Sequence, residues 1–208
     1  MNHIVFRLMA VNLALIPVLL GGCVNLGSGT QQTTKFYVLN SLYSSKADIE
    51  TKRASGEMII GVGPVELPQY VNRPQIVTRT GANELEVAPF ARWGERLEDN
   101  YARVLAENLT MLLSTDRVIV YPWNRTIPIG YQVVVEVRRF DGVLGGEVSM
   151  RARWTLLGNQ GDKILLRKQS NFRERTDGLG YEALVAAQSQ MLAELSREIA
   201  AEITALSK

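Results

Sequence analysis

Residues 147–157, EVSMRARWTLL, alternate apolar and polar side chains along their whole length. Successive side chains of a β-strand point to opposite faces, so a period of two separates two surfaces. One surface would carry Val148, Met150, Ala152, Trp154 and Leu156, and the other Glu147, Ser149, Arg151, Arg153 and Thr155. The stretch therefore predicts a strand with one buried and one solvated face, as in an antiparallel sheet covered on one side.

Strands flank this stretch on both sides. Residues 131–139 and 163–173 have strand patterns, and glycine-containing segments at 142–146 and 158–162 would turn the chain between them. Earlier strands are predicted at 36–39, 58–65, 75–79, 84–87 and 118–121. We expect the strand at 58–65 to end near Pro64, residues 67–74 to be irregular, and residues 89–94 to form a loop.

Two segments have helical periodicity. Residues 95–114 carry an apolar stripe of Leu97, Tyr101, Val104, Leu105, Leu109, Leu112 and Leu113. Residues 181–207 carry a second stripe of Leu184, Ala187, Met191, Leu195, Ile199, Ile203 and Leu206. These patterns predict an α+β fold, a mainly antiparallel sheet with two long helices packed on one face.

The N-terminus has the pattern of a secretory signal. Arg7 precedes an apolar run of about 13 residues, which is too short to span a bilayer as a helix. Leu20-Gly21-Gly22-Cys23 then resembles a lipobox. We therefore expect three parts: a lipoprotein signal peptide at 1–22, a lipidated flexible tether at 23–35, and a single periplasmic α+β domain at 36–208.

Cys23 is the expected lipidation site. Its sulfur would take a diacylglycerol and its freed amine a further acyl chain such as palmitate, and two or more chains anchor stably. Val24 follows where enterobacterial lipoproteins kept in the inner membrane have Asp, so by resemblance the outer membrane is expected. The twelve residues at 24–35 reach about 40 Å when extended.

Composition excludes several kinds of chemistry. His3 is the only histidine and lies in the expected signal, and Cys23 is the only cysteine. Zinc sites built from Cys and His, and Ser-His-Asp or Cys-His catalysis, are therefore excluded from the mature chain. We expect no metal, no cofactor beyond the covalent lipid, and no enzyme activity. The net charge of +2 becomes 22 − 21 = +1 without Arg7, which argues against a nucleic-acid partner.

Several motifs have a plain structural explanation. Gly61-Val62-Gly63 lacks a third glycine and a following helix, so strand glycines explain it better than a nucleotide site. Glu95, Glu98 and Asp99 could act as acid and base, but acidic residues also favour a helix N-terminus. Arg138, Arg139, Arg151 and Arg153 could meet anionic lipid or an acidic partner, although a solvated face explains them as well.

Two proline-containing stretches are candidates for partner contact. Leu67, Pro68, Tyr70 and Arg73 belong to the first, and Phe90 and Trp93 to the second. Aromatic and arginine side chains are typical of contact sites between proteins. The alternative is that the aromatic residues cover the hydrophobic core.

A family resemblance rests on four motifs in order after the lipobox. These are FYVL at 36–39, IGVGPV at 60–65, LPQYVNRPQIV at 67–77, and Trp93 just before the first long helix. They resemble the ABC-type transport auxiliary lipoproteins, most closely the PqiC (YmbA) type. The resemblance covers most of the mature chain and is densest over residues 36–113.

The resemblance implies an outer-membrane lipoprotein of an MCE-type, PqiABC-like system for lipid transport and envelope integrity. Its partner would be a PqiB-like MCE-domain protein that extends across the periplasm. The lipoprotein would form a docking or end-piece, as a ring-like homo-oligomer, and no catalytic residues carry over. The alternative is an outer-membrane regulator of a peptidoglycan synthase, against which the short tether argues. A carboxylate enzyme or a solitary lipid carrier are further alternatives.

Overall fold

A computed structural model describes residues 32–42 and 58–207. The predicted signal peptide, Cys23 and residues 24–31 of the tether lie outside the described residues. The elements are β1 (Lys35–Tyr37), β2 (Ile59–Glu66), β3 (Gln75–Arg79), β4 (Leu85–Trp93), α1 (Leu97–Leu112), β5 (Val118–Val120), β6 (Ile129–Gly142), β7 (Glu147–Gly158), a 3-10 turn (Asn159–Gly161), β8 (Lys163–Arg175) and α2 (Tyr181–Leu206).

The strands form two sheets, ordered β5-β2-β6-β7-β8 and β1-β4-β3. The long ladders β6–β7 and β7–β8 are antiparallel, as predicted from the alternating stretch. Strand β2 instead runs parallel to both β5 and β6, and β1 runs parallel to β4. The α+β fold is confirmed. Both sheets are mixed, because the chain crosses from β1 to β4 through β2 and β3, and from β2 to β5 through β3, β4 and α1.

The predicted buried face of β7 forms the centre of the core. Val148, Ala152, Trp154 and Leu156 are fully buried, and Met150 nearly so. Both helices contact this region: the Tyr101 hydroxyl of α1 lies 3.3 Å from Met150 Sδ, and Gln188 Nε2 of α2 donates to the carbonyl oxygen of Phe140 at 3.3 Å. The opposite face keeps its charged side chains in water, so the two-faced strand is confirmed.

Two strands continue through prolines, β4 well beyond its predicted end at 87 and β2 one residue beyond its predicted end at 65. Strand β4 includes residues 89–93, which were expected to form a loop, because its pairing with β3 shifts register between Gln75 and Val77. Pro89 lies in that bulge, where no N–H donor is needed. Strand β2 likewise continues to Glu66 because its ladder with β6 shifts between Val62 and Val65 and leaves Pro64 unpaired.

The glycines at 61 and 63 lie within β2 beside aromatic side chains. A Cβ added to Gly61 would lie 2.6 Å from the Trp123 ring, and one added to Gly63 would lie 2.7 Å from Cβ of Tyr121. Gly63 also has a φ of +122°. Since no helix follows these glycines, the structure supports the strand interpretation over a nucleotide site.

Gly61→Ala is expected to destabilise the fold by about 1–3 kcal/mol, because the added methyl group must displace the packed Trp123 ring. Urea unfolding followed by tryptophan fluorescence measures the change. Gly81→Ala is the control, since its Cβ would meet its nearest neighbour at an ordinary 3.7 Å. Equal stability of the two variants would contradict the proposed packing.

Candidate partner-docking site

A buried carboxylate fixes the irregular segment 67–74 to the large sheet. The Tyr70 hydroxyl donates to Asp141 Oδ2 at 2.6 Å. Arg79 donates from Nε and Nη2 at 3.0 and 2.9 Å, and Arg139 Nε donates at 3.1 Å. The Asp141 side chain is 0% exposed. Strand β6 therefore clamps both the segment and the β3–β4 hairpin through one side chain.

The charges in this clamp are set by opposing effects. Burial raises the pKa of Asp141, but hydrogen bonds from Arg79 and Tyr70 and the charges of Arg139 and Arg79 outweigh it, and the net pKa lies below the ordinary 3.8. Burial, together with the hydrogen bond to Asp141, raises the pKa of Tyr70 to about 12. Asp141 thus stays ionised and Tyr70 stays a donor, which suits a structural clamp.

Further hydrogen bonds hold the segment against α1. The backbone N–H groups of Val71 and Asn72 both donate to the carbonyl oxygen of Pro68 at 3.1 Å. Asn72 Nδ2 donates to Glu98 Oε2 at 3.0 Å, at the start of α1. The irregular conformation predicted for 67–74 is confirmed, and these contacts keep its shape defined.

An open recess of about 350 Å³ lies between this segment and the N-terminus of α1. Its apolar lining includes Trp93 and Leu97, whose side chains are largely buried. Exposed Arg73, Glu95 and Arg96, with Asn72, supply its polar lining, and the three charged residues are called its rim below. A recess lined by both apolar and charged side chains is suited to receiving a side chain or short segment of another protein.

The six residues predicted for partner contact lie in different environments. Arg73 and Phe90 are exposed, Leu67, Pro68 and Tyr70 are half-buried, and Trp93 is 6% exposed. The structure brings Arg73 and Trp93 together at the recess and uses the Tyr70 hydroxyl in the clamp. Phe90 lies on β4, where its side chain remains accessible.

The acidic residues at the start of α1 are separated into ion pairs. Arg103 contacts Glu95 at 2.5 Å and Glu107 at 2.8 Å. Glu98 instead accepts from Asn72 and from Arg96 at 3.1 Å. No group of three potential metal-binding side chains occurs within residues 32–42 and 58–207. These contacts favour the structural interpretation of the acidic residues.

Three of the four arginines predicted for the solvated face of the large sheet are also paired, and exposed Arg151 forms no ion pair among the described residues. Arg138 and Arg153 share Glu136, at 2.9 and 3.5 Å, and Arg139 contacts Asp141. The two exposed pairs with Glu136 are typical of a solvated surface, whereas Arg139 belongs to the buried clamp. The recess therefore remains the better candidate for a docking site.

The chain belongs to the family described as "ABC-type transport auxiliary lipoprotein component", whose model matches residues 37–200. The description names an auxiliary of transport rather than a class of enzyme. No helix among the residues that the structure describes is long and apolar enough to span a membrane. No curated protein matches the chain.

Two solved structures share the fold. One is an uncharacterised protein with 20% sequence identity and a TM-score of 0.66, and the alignment covers 82% of this chain and 99% of that one. The other is a DUF330 protein from Xanthomonas campestris with 15% identity and a TM-score of 0.63, covering 80% of this chain and 93% of that one. At these identities the similarity establishes the fold alone.

Proposed function

We propose that the chain is an outer-membrane lipoprotein, anchored through Cys23, that serves as a docking or end-piece for a periplasm-spanning MCE-domain protein. The partner is PqiB-like, the system transports lipid or maintains envelope integrity, and the lipoprotein acts as a homo-oligomer. Membership of a transport auxiliary lipoprotein family supports this assignment. The recess at the start of α1 is the observation that carries the docking role.

The rim of the recess supplies the chemistry for docking. Arg73 donates only to the neutral side chain of Gln75, at 3.3 Å, and forms no ion pair within the described residues. Its guanidinium is therefore available to an acidic group of a partner. A partner side chain that fills the recess would cover Trp93 while its charged neighbours contact the rim.

Co-purification tests the proposed partnership. The lipidated full chain, solubilised in detergent, is mixed with an MCE-domain protein encoded beside it, and co-elution is followed by size-exclusion chromatography. Formation of the complex is expected. Failure to bind this protein, with binding to a peptidoglycan synthase instead, would favour the alternative regulatory role.

Reversing charge at the rim is expected to weaken this complex. The double variant Arg73→Glu/Arg96→Glu should bind the MCE protein at least about tenfold more weakly, about 1.4 kcal/mol, because like charges replace attractive ones. Titration calorimetry measures the affinity, and Arg125→Glu, an exposed arginine far along the chain, is the matched control. If the unmodified chain, the double variant and Arg125→Glu all bound with equal affinity, the recess would not be part of the interface.

A further inference from the structure

The small sheet carries an exposed apolar surface, which we call the outer patch. It consists of Phe36, Val38, Val87 and Phe90, with exposed fractions of 67, 43, 40 and 40%. In the β1–β4 ladder Tyr37 pairs with Trp93 and Phe36 pairs with Arg92. Because Trp93 is buried, alternation along β1 directs Phe36 away from the core.

The other members of the outer patch follow from the same geometry. Val38 lies two residues after Phe36 and so on the same side of the chain. Val87 and Arg92 pair with Val77 and Gln75, which are two residues apart on β3, so both lie on one face of the small sheet. Phe90 lies two residues before Arg92 and is exposed on the same face. Neighbouring apolar side chains on one exposed surface, two of them aromatic, are typical of a contact face.

One cation lies on the same face as the outer patch. Arg92 lies opposite Phe36 in the β1–β4 ladder, whereas Lys35 pairs with buried Ala91 and so points to the other face. Arg92 is exposed and forms no ion pair among residues 32–42 and 58–207. Aromatic side chains beside an unpaired cation match a lipid interface, where rings enter the boundary of the acyl chains and the cation meets phosphates.

The distance along the chain from the expected lipidation site to Phe36 limits how far the outer patch can lie from the membrane. Phe36 is 36 − 23 = 13 residues after Cys23. A flexible chain of that length has an average end-to-end distance of about 20 Å and a limit of about 45 Å. The proposed anchor therefore keeps the outer patch within reach of the membrane surface.

We propose that the outer patch binds the lipid surface into which Cys23 is anchored. Phe36 and Phe90 enter the headgroup region, and Arg92 contacts anionic headgroups. The contact gives the tethered body a defined orientation on the membrane. This inference rests on the lipid anchor of the proposed function and adds the face through which the body meets the bilayer.

Site-specific fluorescence tests the contact. The lipidated full chain is reconstituted into vesicles of phosphatidylethanolamine and phosphatidylglycerol that contain a nitroxide lipid. Since the thiol of Cys23 carries the lipid, a cysteine introduced by Val87→Cys is the only free thiol and takes an NBD dye. Ile164→Cys on β8, 57% exposed, is the matched control. We expect at least twofold stronger quenching at position 87 than at position 164.

The second part of the experiment removes the aromatic rings of the outer patch. Phe36→Ser/Phe90→Ser in the Val87→Cys background should reduce the quenching to the level of the control. Chains that float with the vesicles but quench equally at 87 and 164 would overturn this inference alone. Chains that do not float would overturn the anchor and the inference with it. The third outcome is seen without lipid. If the NBD emission at position 87 shifts to the blue as protein concentration rises, a second copy of the chain covers the outer patch, and this result would also overturn the inference.

Discussion

Replacing Asp141 with alanine is expected to destabilise the folded chain by about 3–5 kcal/mol, the range for removing one partner of a buried ion pair. The substitution leaves Arg79 and the Tyr70 hydroxyl without their acceptor. It also releases the segment 67–74 and the β3–β4 hairpin from β6. Chemical unfolding of the full chain, monitored by circular dichroism, measures the loss.

Two further variants distinguish the loss of the clamp from the general destabilisation that any substitution can cause. Tyr70→Phe removes one hydrogen bond to a charged acceptor and should cost about 1.5–3 kcal/mol. Glu147→Ala breaks an exposed ion pair with Arg173, 3.6 Å apart, and should cost less than about 1 kcal/mol. If Asp141→Ala were no more harmful than Glu147→Ala, the clamp would not stabilise the fold.

The clamp also predicts how stability depends on pH. The pKa of Asp141 is lower in the folded chain than its ordinary 3.8, so the unfolded state binds its proton first as pH falls. The stabilising effect of its ionised form is therefore fully present above about pH 4 and is lost as pH falls through the lower folded value. In Asp141→Asn this acid-dependent component should be missing from the stability profile below about pH 4.

Periodicity in the sequence was sufficient to predict the central architecture. The alternation over 147–157 identified the buried face of β7, and both helical stripes coincide with α1 and α2. Periodicity was informative for these elements because each is long and has one apolar surface. The end of β4 was wrong, since the bulge that accommodates Pro89 depends on pairing with β3, whereas β2 ends only one residue beyond the predicted position 65.

The clamp and the recess were harder to predict because they join residues that are distant in sequence. Asp141 follows Tyr70 by 71 positions, and nothing local shows that its carboxylate is buried. Its neighbours Arg138, Arg139 and Phe140 are mixed in character, so no periodic pattern indicated that Asp141 is buried. Trp93 and Arg73 were singled out individually, but only the fold places them at one recess beside Arg96.

Cys23→Ala is expected to abolish membrane attachment almost completely. The proposed anchor places two or three acyl chains in the bilayer, and each buried methylene contributes about 0.8 kcal/mol. Without the sulfur no diacylglycerol is added, and the remaining contact through the outer patch is too small to hold the body alone. The fraction of the chain that sediments with membranes should fall below about one tenth, and mass spectrometry should show loss of the lipid.

Val24→Asp provides the matched control for location, because it retains Cys23 and its lipid. By resemblance to enterobacterial lipoproteins, this variant should remain in the membrane fraction but move from the outer to the inner membrane. If docking requires the lipoprotein at the outer-membrane end of its partner, both variants should fail to complement a deletion, although only Cys23→Ala loses the lipid. If the Cys23→Ala chain still carried the mass of the lipid and remained attached to the membrane, lipidation at Cys23 would be disproved, and with it the proposed tether.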